Sequence, residues 1–70
     1  MHDPQELEHR FTYHPPKEGQ PAAYERLRSQ ALQLARQIDL ECPESREQSL
    51  AITKLEEAIM WANAAIARRA

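Results

Sequence analysis

Apolar positions in the second half of the chain recur on a helical period. Ile52, Leu55, Ile59, Ala62 and Ile66 follow at spacings of three and four, the signature of a helix laying one stripe on a neighbour. Tyr24, Leu27, Ala31, Leu34 and Ile38 repeat the pattern upstream. Pro43 stops the first helix, and Ser45 with Gln48 offers an N-cap and a capping-box partner for the second. These signals predict helices over about 21–41 and 45–69, joined so closely that they must be antiparallel neighbours. Each helix would span about 30–37 Å, leaving a long thin hairpin whose core is one seam. Ahead of it, Asp3, Pro4 and Glu6 read as N-cap, first helical residue and capping acid of a short helix over 4–10. Phe11, Thr12 and Tyr13 then read as extended, His14 is held away from helical angles by the prolines that follow it, Pro15 and Pro16 stiffen this strap, and Gly19 gives it a turn. The fold class is therefore all-α: an antiparallel two-helix hairpin (21–70) with a short N-terminal helical arm (1–20).

The seam leaves apolar residues over. Leu50 and Trp61 lie on another face of the second helix, with Lys54 and Glu57 between them, and Ala51, Ala58 and Ala65 form a small-residue edge. Such an edge admits a close helix, and a large aromatic off the main stripe wants a pocket. Leu50, Ala58, Trp61 and Ala65 are the candidate oligomer interface. A 70-residue chain has little margin over its ordering entropy, and self-association is one remedy. The others are less accessible. Cys42 is the only cysteine, expected as a reduced, partly buried turn residue, and His2, His9 and His14 lack the paired spacing of a structural zinc site. Neither metal nor cofactor is expected. Without a run of about 20 apolar residues, and with acids near the N-terminus, the chain reads as cytoplasmic.

A net charge of −2 disfavours long nucleic acid, which calls for a basic face. Arg26 with Arg28, and Arg68 with Arg69, lie near opposite ends of the sequence. A hairpin brings those ends together, so the two pairs are expected to form one cationic patch for a small anion. Catalytic groupings are missing from the pattern. Glu56 and Glu57 are helix neighbours that diverge, and Ser29, Ser45 and Ser49 lack a histidine partner and a glycine elbow. With Gly19 the only glycine there is no phosphate loop, and the chain reads as a binder, not an enzyme. Recognition would fall to an aromatic and basic cluster: Phe11, Tyr13, His14 and Lys17 on the strap, facing Arg26 and Arg28. Composition alone favours the blander reading of Phe11 and Tyr13, as anchors pinning the arm to the hairpin.

The run RFTYHPP, then Tyr24 and Leu27-Arg28, then CPESREQSL and LEEAIMWANAAIAR, resembles the phage anti-CBASS family of small helical-hairpin proteins that sequester cyclic oligonucleotides. The likeness covers about Arg10 to Arg69, and LEEAIMWANAAIAR is its specific part. The resemblance implies a homohexamer in the host bacterial cytoplasm that binds cyclic dinucleotides, and in some members cyclic trinucleotides at separate sites, without cleaving them. It would make Tyr13 the base-stacking aromatic, Arg28 the phosphate contact and Arg69 the candidate at a second site, with Arg26, Lys17 and Arg68 in reserve. Which of Arg26, Arg28 and Gln30 takes the phosphate position stays open. The rival reading is a helical oligomerisation or adaptor module that binds a protein partner through Leu50, Trp61 and the alanine edge.

Overall fold

A computed structural model describes residues 3–69. Residues 1, 2 and 70, and with them His2 and the outer bounds of the expected arm and hairpin, lie outside the described residues. The chain is all-helical, with α1 (Pro4–Phe11), α2 (Gln20–Glu41) and α3 (Arg46–Arg69). Asp3 caps α1, its carboxylate accepting from the Gln5 N–H at 3.4 Å with Pro4 in the first turn. The helix runs one residue further than its pattern suggested and takes in Phe11, so the extended segment begins at Thr12. Gly19 precedes α2 at φ 83°, the left-handed region that costs other residues about 1–2 kcal/mol.

The hairpin is a single layer. α2 packs on α3, the arm and strap meet the hairpin only near the C-terminal end of α3, and no apolar side chain among the described residues is fully buried. The Cα radius of gyration is 15.6 Å, against about 11 Å for a compact chain of this length. Accessible surface is 6026 Å² at 8.1 kDa, where a folded monomer of that mass exposes about 4,500 Å². The excess, about 1,500 Å², equals roughly two ordinary protein contacts at about 800 Å² per side.

Within the seam, Tyr24, Leu27, Ala31 and Ile38 of α2 and Ile52, Leu55, Ile59, Ala62 and Ile66 of α3 are half-buried. Leu34 departs from its expected place. It is exposed, and Ala35 is half-buried in its stead. Both residues flank the contact line, and the smaller one lets the backbones approach while the larger leans out.

Two glutamines close the ends of the layer, each only 8% exposed. Gln20 accepts the Lys17 N–H at 2.8 Å and donates through Nε2 to the Ile66 carbonyl at 3.0 Å, tying the strap and the start of α2 to the last turns of α3. At the other end Ser45 caps α3 as expected, its Oγ accepting the Gln48 N–H at 3.1 Å. The expected reciprocal half of the capping box is replaced by a longer reach. Gln48 Nε2 donates to the carbonyls of Asp39 and Cys42, at 3.2 and 2.9 Å, and so caps the C-terminus of α2. Cys42 itself is exposed, not partly buried. Gln48→Leu strips two carbonyls of their donor and is expected to cost about 1–3 kcal/mol, read as a lowered midpoint in chemical denaturation. An unchanged midpoint would show that water satisfies the α2 terminus equally well.

Candidate functional site

Residues four apart on a helix share a face, and Tyr24, Arg28 and Leu32 accordingly flank the seam in one row along α2. On α3, Met60, Asn63, Ala64 and Ala67 follow the opposite edge. Between the rows runs a groove in two reaches. Arg28, Leu32, Ile52, Leu55, Ile59 and Met60 line the middle reach, about 470 Å³ and mostly apolar. Nearer the C-terminal end of α3, the second reach of about 400 Å³ is lined by Arg10, Thr12, Tyr13, His14, Tyr24, Ala64, Ala67 and Arg68. Asn63 lines both, and joins them.

The strap positions Tyr13 over this second reach. His14 Nε2 donates to the His9 carbonyl at 2.9 Å, and the two imidazole rings stand 4.4 Å apart, tilted by 58°. The Thr12 hydroxyl donates to the Glu8 carbonyl. Tyr13 is thereby fixed at both neighbours while the residue itself stays 79% exposed. Phe11 is 86% exposed. Neither aromatic serves as the anchor that composition favoured. His14 and Gln20 hold the strap, which leaves the tyrosine ring available for stacking.

Local charge is positive despite the acidic whole. No carboxylate lines the Tyr13 reach, whereas Arg10 and Arg68 do, with Arg10 paired to half-buried Glu6 at 3.5 Å. A neighbouring depression of about 290 Å³ gathers Arg10, Arg68, Arg69 and Trp61 beside Ala65. The two arginine pairs do not line one common depression. Arg26 and Arg28 are two residues apart and cannot share a helix face. Arg26 lies in a depression with Glu25, Ser29 and Gln30, while Arg28 borders the groove and pairs with Glu25. Lys17 contributes its backbone to the Gln20 clamp on the strap.

Among the sequence candidates, then, Tyr13 and Arg68 share one reach, Arg28 borders the adjoining one, Arg69 sits beside Trp61, and Arg26 stands apart. Leu50, Ala58, Trp61 and Ala65 are all exposed. Sequence reasoning missed Arg10, Thr12 and Asn63 as site residues and read Tyr24 only as seam. An amide next to the apolar stripe was the one signal for Asn63.

An exposed groove with tyrosines at one end, arginines along its rim and a spare apolar face defines a small helical-hairpin recognition module. The family model of the Acb2/Tad1 hairpin domain matches residues 3–67, and the chain belongs to that family of anti-CBASS cyclic-nucleotide sponges. No curated protein and no solved structure matches it. No helix among the described residues is long and apolar enough to cross a membrane.

Proposed function

We propose that this chain is a phage-encoded sponge that holds cyclic dinucleotides, and cyclic trinucleotides at a second site, without cleaving them, so that the host's CBASS effectors are starved of their messenger. The observation that carries the reading is the groove of this family member, where an exposed tyrosine clamped at both neighbours lines one reach and a rim arginine 70% exposed at its side chain borders the next. Tyr13 and Tyr24 offer faces to a base, and Arg28 reaches a phosphate from the rim. Arg69, with Arg68 and Trp61, is the candidate second site. The working compartment is the host bacterial cytoplasm.

Affinity arithmetic requires more than one copy. Nanomolar retention takes about 12 kcal/mol. One stacked base contributes about 1–3 kcal/mol and one charge-assisted contact about 1.5–3, so a single half-site falls short by about half. Two half-sites related by symmetry match both the deficit and the two-fold chemistry of a cyclic dinucleotide. A homo-oligomer, as a hexamer, would use the excess surface of the protomer for that purpose.

Native mass spectrometry with a mixture of cyclic di- and trinucleotides tests assembly and ligand together. An assembly that keeps intact cyclic nucleotides at a fixed ratio supports the sponge. One that keeps none refutes it and turns attention to a protein partner for Leu50, Trp61 and the alanine edge. Glu25 holds Arg28 in an exposed ion pair, a contact worth at most about 1 kcal/mol. Releasing it with Glu25→Gln is expected to tighten cyclic dinucleotide binding by about two- to fivefold in titration calorimetry. A weakened variant would place the phosphate elsewhere.

A further inference from the structure

The geometry points to Asn63 as the residue that reads the base, through an amide that selects adenine over guanine. The inference rests on the sponge reading and deepens it. Asn63 Oδ1 is buried and has no hydrogen-bond partner, and a buried acceptor left without a donor is costly to the fold. The same side chain is common to both reaches of the groove, standing between the rim arginine Arg28 and the tyrosines Tyr13 and Tyr24. Its neighbours on the α3 wall of the tyrosine reach are Ala64, Ala67 and Arg68. The alanines keep that wall low, so the edge of a base stacked on a tyrosine can come close to the helix. Asn63 is the one side chain on that wall that both donates and accepts.

An asparagine amide matches the Hoogsteen edge of adenine in both bonds, its oxygen accepting from N6 and its nitrogen donating to N7. Guanine offers two acceptors there, N7 and O6, so Oδ1 would be set against O6. Phosphate does not suit the unpaired atom either, since both are acceptors. The two-bond contact needs both amide ends toward the base, so the side chain turns about χ1 and χ2 when a base arrives in the groove. The residue therefore acts on ligand choice, not on assembly.

The test is titration calorimetry of the whole assembly with cyclic di-adenylate and cyclic di-guanylate, alongside native mass spectrometry. The wild-type chain is expected to prefer the adenine ligand by about tenfold or more, within the range a bidentate base contact provides. Asn63→Leu removes both bonds, and Asn63→Ala removes them without added bulk. Both variants are expected to bring the ratio to within about threefold at unchanged assembly mass, and Asn63→Ala decides the matter if the leucine variant does not fold. A wild-type chain without base preference overturns the inference and leaves the sponge standing. So does an unchanged ratio in the variants, whether affinity falls evenly, as loss of a ribose contact would cause, or the assembly breaks, as loss of a subunit contact would. A wild-type chain that retains no cyclic nucleotide removes the sponge reading and this inference with it.

Discussion

Trp61→Ala is expected to break the proposed assembly into protomers and to weaken cyclic dinucleotide binding by about a hundredfold or more. Truncating a well-buried tryptophan costs about 3–5 kcal/mol, and about 1.4 kcal/mol is a factor of ten. In the protomer Trp61 is 66% exposed, and at 100° per residue Leu50, Ala58 and Ala65 fall within about a quarter-turn of it, so a second copy docked there covers all of them. The same indole also borders the depression that holds Arg10, Arg68 and Arg69, where it is placed to stack on a ligand instead. Analytical ultracentrifugation beside ligand titration separates the two roles. Loss of assembly and of ligand together marks an interface residue. Intact assembly with a weakened cyclic trinucleotide marks a stacking platform at the second site. A monomer that still binds normally would sever the link between association and function. Leu50→Glu, on the same face but outside that depression, is expected to dissociate the assembly in either case.

Much of the fold was legible because it depends on period and punctuation. The stripe from Ile52 to Ile66, the stop at Pro43 and the Ser45 cap are local patterns, and each appears as read. What escaped depends on contacts between distant segments. Gln48 looked like the partner of its own cap, yet its side chain serves the end of the preceding helix, and only the closed hairpin brings those carbonyls within reach. Leu34 and Ala35 are adjacent, so a seam this narrow can take either without changing the periodic signal. The site was less legible still. Tyr13 was identified by type, but its exposure follows from His14 and Gln20 holding the strap in its place. Arg26 and Arg28 were grouped by proximity in sequence, although two-residue spacing on a helix sends them to different sides.

A layer without a core also changes what its polar residues do. Gln20 and Gln48 are the buried residues among those described, so hydrogen bonds at the ends set the register of the hairpin, while much of its broad faces stays exposed. On the sponge reading, recognition and association would draw on the same exposed surface. The tyrosine strap and the Trp61 face are linked through Arg10 and Arg68, which border both depressions. Rim charge and packing consequently need to be perturbed separately if their effects are to be told apart.

Charge reversal at Arg28 provides that separation. Arg28→Glu is expected to abolish cyclic dinucleotide retention, by about a thousandfold, with assembly mass unchanged. Each copy loses a charge-assisted contact of about 1.5–3 kcal/mol, and a site built from two copies loses it twice before any repulsion from the new carboxylate. Its side chain is 70% exposed and paired only with Glu25 among the described residues, so stability should barely respond. Arg26→Glu makes the same change of charge in the depression shared with Glu25, Ser29 and Gln30, and is expected to shift affinity by less than about threefold through screened, long-range interaction. Equal losses in both variants would mean that net charge, not a phosphate grip, governs binding. A large loss in Arg26→Glu alone would move the phosphate to the outer side of α2 and take Tyr13 out of the same site. Raising the salt concentration should weaken the wild type more steeply than Arg28→Glu, because the variant has already lost the contact that salt screens.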